Sequence, residues 1–184
     1  MLTTVSLWLP LALAVALFMD VWAALLHRFV WHGLLWAIHR THHQPRRGLF
    51  ERNDALSVAH APIAIALILY GCTHPEARFG AWAFGIGVGM TLFGLSYLVF
   101  HDGLAHRRAS IRALRRFPYV REVLLLHARH HQGEFGQAPY GFFLAPLAVR
   151  VQRALVAKAR MTTLEKWKPP RTPTARTSVG QTDG

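Results

Sequence analysis

The stretch that decides the fold is HRFVWHGLLWAIHRTHH, residues 27–43, which holds five of the twelve histidines in this chain of 184 residues. It contains an HX4H pair and, six residues later, an HX2HH box. Residues 2–19 carry no charge, and the apolar run resumes after Asp20 as far as Leu26, a length that can cross a bilayer. The sequence therefore predicts a cluster of imidazoles at one end of a membrane-spanning helix.

The same two patterns recur as HDGLAH, residues 101–106, and HARHH, residues 127–131, now twenty residues apart. Neutral imidazole is a common ligand of transition metals. On a helix, residues i, i+3 and i+4 share a face, so we expect the three histidines of each HX2HH box to lie together. The ten candidate ligands, enough for two metals with four or five nitrogens each, are His27, His32, His39, His42, His43, His101, His106, His127, His130 and His131.

The HX4H pairs need a different backbone, because a step of five residues turns about 140° on an ideal α-helix and separates the two rings. A π-helical turn aligns i with i+5 and is common at functional sites. The spacing thus predicts a distorted helix at 27–32, at 101–106, or at both.

Two further apolar blocks follow, at residues 55–72 and 80–100. With the first block they predict an all-α integral membrane bundle with three transmembrane helices; the alternative for each block is a buried core helix. A weaker apolar segment at 140–149 is flanked or interrupted by Pro139 and Pro146 and is not counted as a crossing. No basic residue precedes Arg28 and no cleavage site follows the first block, so we expect this helix to be retained.

Cations are distributed asymmetrically about these blocks. Segment 27–54 carries five arginines, the link 73–79 carries one, and 15 of the 21 Lys and Arg follow Phe100. The positive-inside rule then predicts that all four histidine boxes lie at the cytoplasmic face of the membrane. The hairpin 55–100 returns the chain to that face.

Charge and cysteine content limit the class of protein. One cysteine excludes a disulfide framework and a Cys-rich metal site. A net charge of +12 suits contact with anionic lipid headgroups, whereas no nucleic-acid recognition module is present. We expect residues 1–167 to form one membrane-embedded domain and residues 168–184 a disordered basic tail.

Two acids are candidate catalytic partners of the histidines. Asp20 lies two helical turns before His27, and a carboxylate inside a span is costly enough to suggest a function, such as a hydrogen bond to a ligand imidazole. Asp102 adjoins His101 and invites the same interpretation, whereas Asp54 is expected to cap the second helix. The aromatic residues that could line a substrate channel or form an interfacial belt are Trp31, Trp36, Phe100, Tyr140, Phe142 and Phe143.

Gly85 and Gly89 form a GxxxG motif in the third block. Such small residues allow close packing against another helix, within the chain or in a homo-oligomer.

The four boxes, in this order and with this hairpin between them, resemble those of the bacterial-type β-carotene hydroxylases, within the fatty-acid hydroxylase and sterol desaturase superfamily. The similarity covers roughly Asp20 to Leu155 and includes YLVFHDGLAHRR at 97–108, LLLHARHH at 124–131 and YGFFLAP at 140–146. The resemblance implies a non-haem di-iron monooxygenase that uses O2 and a reduced ferredoxin-type carrier. It implies hydroxylation of β-carotene at carbon 3 of each β-ionone ring, giving zeaxanthin by way of cryptoxanthin. It also implies a metal-ligand role for the ten histidines.

Two alternatives stay open at this point. One is another histidine-box membrane enzyme, either a carotenoid ketolase or a lipid or sterol hydroxylase. The other is a membrane haem or metal-transport protein, which the clustering of the histidines at one end of the spans disfavours.

Overall fold

A computed structural model describes residues 2–166 except 46–47, 49, 110 and 133–137, and every regular element in that part of the chain is helical. The α-helices are α1 (Leu2–Leu26), α2 (Trp36–His39), α3 (Asp54–Ser57), α4 (Ala61–Thr73), α5 (Arg78–Tyr97), α6 (Pro118–His130) and α7 (Ala145–Lys166). Two π-helical turns, His27–Leu34 and Leu98–Ala105, extend α1 and α5, and 3-10 turns occupy Arg40–His43 and Arg112–Arg116. Proline stands in the first turn of α4 and of α6, where its missing N–H has no intrahelical partner to lose.

Three helical segments are long and apolar enough to cross a membrane: Trp8–Leu34, Asp54–Thr73 and Arg78–Ala105. Large apolar side chains such as Leu13, Leu17 and Phe18 stay exposed along the first, as expected of a surface that faces lipid. The three predicted spans are therefore confirmed, and this is a membrane protein with three apolar helices. The third continues five residues past the predicted end at Phe100, because the π-helical turn carries the helix through most of the third histidine box.

Helix α5 is the central span and packs on both α1 and α4. A Cβ atom at Gly85 or Gly89 would lie 2.8 Å or 2.5 Å from the backbone oxygen of Trp8 or Ala12 on α1. A Cβ atom at Gly87 would lie 2.7 Å from the Ala64 oxygen on α4. The GxxxG motif is thus used within the chain, for close approach of α1 to α5.

A π-helical turn occurs at each HX4H pair, as the spacing predicted, with His106 directly after the second turn. Hydrogen bonds with the i to i+5 pattern run from Leu35 N–H to the Val30 oxygen at 2.7 Å and from His106 N–H to the His101 oxygen at 2.9 Å. These wider turns align the two imidazoles of each pair at the ends of the first and third spans.

The chain divides into two compact units, Met1–Val149 and Arg150–Gly184. The first unit contains the three spans and all four histidine boxes. In the second, the described residues are helical through Lys166. The single-domain assignment for residues 1–167 stays a prediction, and the tail 168–184 lies outside the described residues.

Candidate metal centre

The first group of imidazoles joins residues from three of the four boxes. His27 is its centre: His27 Nε2 lies 2.9 Å from His39 Nε2, 3.2 Å from His32 Nε2 and 3.1 Å from His130 Nε2. His43 Nε2 completes the group at 3.3 Å from His39 Nε2. One nitrogen of each of these five residues lies within 4.8 Å of every other, a cluster that could hold a metal ion.

The second group joins four of the five remaining histidines of the boxes. Its four members, whose ligand nitrogens also lie within 4.8 Å of one another, are His42, His106, His127 and His131. His106 Nε2 is 2.9 Å from His127 Nε2. His101 borders this group, with its Nε2 atom 3.2 Å from His42 Nε2. All ten predicted histidines are thus brought together, nine in two groups and His101 beside the second.

Each HX2HH box is divided between the two groups, contrary to the expectation that its three histidines lie together on one face. His39 and His43 belong to the first group and His42 to the second. In the fourth box, His130 belongs to the first group, whereas His127 and His131 belong to the second. At the C-terminal end of α6, His127 and His131 of the fourth box stay together because residues i and i+4 differ by about 40° around an α-helix, whereas adjacent residues differ by about 100°.

The two groups are in contact through their rings. The His43 and His131 rings stack with centroids 4.3 Å apart, and His39 and His42 lie 5.6 Å apart. The arrangement therefore offers two neighbouring metal positions. Of the other two histidines, His60 accepts a hydrogen bond from Trp22 Nε1 and His74 is exposed.

In three of these histidines the Nδ1 atom, which faces away from the cluster, forms a hydrogen bond with an oxygen acceptor. These hydrogen bonds determine which ring nitrogen carries the proton. His27 Nδ1 donates to the Tyr140 carbonyl at 2.9 Å, and His39 Nδ1 donates to Asn53 Oδ1 at 2.7 Å. His101 Nδ1 donates to Asp102 Oδ1 at 2.8 Å, the contact expected for Asp102. A neutral imidazole with its proton on Nδ1 presents a lone pair at Nε2, the form that binds a metal.

His27 and His39 provide a test of whether a cation fits. Both are protonated on Nδ1, so their Nε2 lone pairs face each other across 2.9 Å with no proton between them. A shared cation turns this repulsion into attraction. Nitrogens about 2.1 Å from a metal lie roughly 3.0 to 3.4 Å from their neighbours in octahedral or tetrahedral geometry. The observed separations between 2.9 and 3.3 Å match that spacing, and the donor set fits a metal.

Burial also keeps these side chains neutral. It lowers the pKa of His39 and of His106 to about 4, and the pKa of His43 to about 3, with neighbouring imidazoles adding to the effect for His39 and His43. Burial lowers the pKa of His131 to about 2. Only deprotonated imidazole binds metal, so these four residues are in the binding form at neutral pH.

Asp20 is buried, with 3% of its surface exposed. Among the described residues its hydrogen-bond partners are backbone N–H groups and not the ligand imidazole that the sequence suggested. Its oxygens accept hydrogen bonds from the backbone N–H groups of Phe143 and Leu144, at 3.0 and 2.8 Å. The nearby His27 Nδ1 already donates to the Tyr140 carbonyl, in the same segment of the chain. We refer to residues 139–144 as the strap.

An ion cluster that the sequence analysis did not identify lies beside the second group. Arg108 Nη2 is 2.9 Å from Asp54 Oδ1 and 3.4 Å from Glu51 Oε1, and Glu51 Oε2 is 3.6 Å from His42 Nδ1. Asp54 is therefore engaged with Arg108 and with the Glu51 N–H, and it provides no cap to α3. No periodic pattern in the sequence marks these residues, because they meet across two loops.

A small cavity adjoins both groups. Its volume is about 10 Å³, room for roughly one water molecule. His27 of the first group and His127 of the second contribute to its wall. The remaining lining is mainly small and aromatic: Asp20, Ala23, Ala24, Trp31, Tyr97, Tyr140, Gly141 and Phe142. Three of the six aromatic residues considered from the sequence are in this lining, whereas Trp36 stacks on His32 and Phe100 packs on Phe143.

Comparison with known proteins gives consistent matches. The fatty acid hydroxylase family model matches residues 12–147. The chain is 41% identical over 136 residues to β-carotene hydroxylase 2, chloroplastic, of Capsicum annuum, covering 74% of this chain and 44% of the relative. It is 41% identical over 139 residues to β-carotene 3-hydroxylase 2, chloroplastic, of Arabidopsis thaliana, covering 76% and 46%. It is 40% identical over 140 residues to the β-carotene hydroxylase of Pantoea ananas, covering 74% and 77%.

The match therefore spans less than half the length of the two plant relatives and about three quarters of the Pantoea protein. No solved structure matches this chain.

Proposed function

We propose that this chain, which belongs to the fatty acid hydroxylase family, is a membrane monooxygenase that hydroxylates carbon 3 of the β-ionone rings of β-carotene. The products would be cryptoxanthin and then zeaxanthin. In each turnover, O2, two electrons and two protons convert one C–H bond to C–OH and release one water. The names of the relatives, from plants and from Pantoea ananas, support this substrate and disfavour a ketolase.

The observation that carries the proposal is the convergence of Nε2 atoms in two adjacent groups. We assign two iron ions to these groups, with His101 as a tenth ligand beside the second. Iron, when bound, supplies the O2-dependent oxidation that side chains cannot perform on an unactivated C–H bond. All-nitrogen coordination differs from the Glu-x-x-His pattern of soluble di-iron proteins, which this sequence lacks.

The chain's own contribution is to orient the ligands. Asn53, Asp102 and the Tyr140 carbonyl hold protons on the Nδ1 atoms of His39, His101 and His27, so that Nε2 points inward. Asp102 is thus assigned a supporting role through His101. Such outer partners affect metal affinity or activity about 10- to 100-fold in other proteins.

An apolar substrate could approach the centre through lipid at the cavity bounded by Ala23, Ala24 and Gly141, which itself holds only about one water molecule and must widen to admit a β-ionone ring. This cavity lies beside the first span, and its wall includes a histidine from each group. We place this site at the cytoplasmic side of a bacterial inner membrane, from the distribution of arginines. A ferredoxin-type donor could then reach the metals from solution, and the basic surface suits an acidic partner as well as anionic lipid.

The test is expression in a bacterium that accumulates β-carotene, with carotenoids separated by chromatography and identified by mass. The parent chain is expected to give cryptoxanthin and zeaxanthin. His130→Ala removes a ligand of the first group and is expected to leave β-carotene unchanged. His74→Ala is the matched control, because His74 is exposed and outside both groups.

Ketonic products would identify a ketolase. Unchanged β-carotene with a membrane-inserted, iron-loaded and reduced parent would refute the proposed substrate. Equal activity in the His130→Ala variant and the parent would refute the assignment of the centre.

A further inference from the structure

The question left by the proposed centre is why a carboxylate lies in the first span. Asp20 is almost completely buried, and an acid at membrane depth is costly unless its oxygens find donors. Both oxygens do so, through the Phe143 and Leu144 N–H groups. Hydrogen bonds to a charged acceptor are about twice as strong as neutral ones, so this is a firm attachment of the strap to α1.

The strap has a second attachment to the same continuous helical segment. Tyr140, near its start, accepts a hydrogen bond from His27 Nδ1, which lies seven residues after Asp20. Between the two attachments, a Cβ atom at Gly141 would lie 3.4 Å from Ala24 Cβ and 3.9 Å from Asp20 Oδ2. The strap therefore lies closely along this segment from Asp20 to His27.

The strap also reaches the second group. The buried Phe142 ring lies 5.3 Å from the His127 ring and 5.4 Å from the His101 ring. The strap's backbone at Tyr140 thus orients His27, whereas the Phe142 ring packs against His101 and His127. The strap's hydrogen bond to a ring nitrogen is made to His27 of the first group, so loss of the Asp20 attachment should affect the first group more.

We propose that Asp20 is a positioning residue for the first metal: by binding the strap it holds the Tyr140 carbonyl on His27 Nδ1, and so directs the His27 Nε2 lone pair at the metal. Asp20 acts through the strap and is not itself a metal ligand. The inference rests on the proposed metal centre but does not depend on which substrate the enzyme uses.

The experiment is titration of the purified metal-free chain in detergent with Co²⁺, followed by visible absorption. The parent is expected to bind two equivalents. In Asp20→Asn one carboxylate oxygen is replaced by an amide NH2, which cannot accept a backbone N–H. One of the two Co²⁺ equivalents is expected to bind about 10- to 100-fold more weakly, and its visible absorption bands are expected to shift. The affinity and the spectrum of the other equivalent should be unchanged. Asp20→Glu keeps two acceptor oxygens and should restore much of the lost affinity.

Met19→Ala is the control for simple destabilisation, because Met19 is a buried apolar neighbour on the same helix. It is expected to lower the melting temperature and leave both Co²⁺ equivalents as in the parent. If Asp20→Asn behaves in the same way, Asp20 is merely structural and the inference is wrong. A parent that binds no Co²⁺ would overturn both proposals, whereas a parent that binds two equivalents but leaves β-carotene unchanged would overturn only the substrate.

Discussion

Asn53 is a buried polar residue whose contribution the sequence did not reveal. Its Oδ1 accepts a hydrogen bond from His39 Nδ1 at 2.7 Å, and its backbone N–H donates to Thr41 Oγ1 at 3.3 Å. These contacts hold the loop after the second box against the helix that carries His39. An asparagine before a helix is common as a local cap, so sequence reasoning gave no signal for a partner fourteen residues away.

Replacing Asn53 by alanine is expected to weaken metal binding at the first group about 10- to 100-fold, because the His39 ring loses the acceptor that selects its tautomer. Competition of the loaded protein with chelators of graded affinity measures the change. Asn53→Asp is the matched variant, since it keeps an oxygen in the same place and should hold metal nearly as well as the parent. Equal losses in the two variants would contradict this explanation.

Some features of the helices can be deduced from the sequence of a single segment, and others cannot. The π-helical turns followed from the five-residue spacing of each HX4H pair, and the crossings followed from the length of the apolar blocks. The partner of the GxxxG face did not follow, because the same small residues serve contacts within a chain and between chains. The structure resolves this ambiguity by placing α1 against Gly85 and Gly89.

Gly89→Ala is expected to destabilise the protein by about 1–3 kcal/mol, because the new methyl group would lie 2.5 Å from the Ala12 oxygen and must push α1 from α5. Thermal unfolding in one detergent measures the loss. Gly94→Ala is the matched control on the same helix, since a Cβ atom there meets nothing within 4 Å. A loss as large in Gly94→Ala would show that glycine is needed on α5 for a reason other than helix packing.

The path of the whole chain through the membrane explains how boxes far apart in sequence meet. The second and third spans form a hairpin that returns the chain to the end of the first. Residues that follow the first and third spans therefore belong to one site, while the link between α4 and α5 lies at the opposite ends of those helices. The orientation of this arrangement in the membrane is a prediction from the arginines.

Cysteine labelling tests that orientation. Cys72 is the single cysteine, so a Cys72→Ala background is free of thiols. Glu76→Cys, in the exposed link, should react with a membrane-impermeant maleimide in intact spheroplasts. Gln44→Cys, exposed after the second box, should react only in inverted vesicles. The opposite pattern would place the histidines outside the cytoplasm, and labelling of both in spheroplasts would contradict the three-span topology.

The sequence alone predicted the three spans, the π-helical turns and the ten histidines that come together, and it carried the resemblance to a family. Each of these depends on residue type and spacing within short segments. Only the tertiary structure decided that His42 and His43 serve different groups, that Asn53 orients His39, and that Asp20 binds the strap. These are contacts between segments as many as 124 residues apart. Such contacts depend on how helices and loops pack together, which local periodicity does not specify.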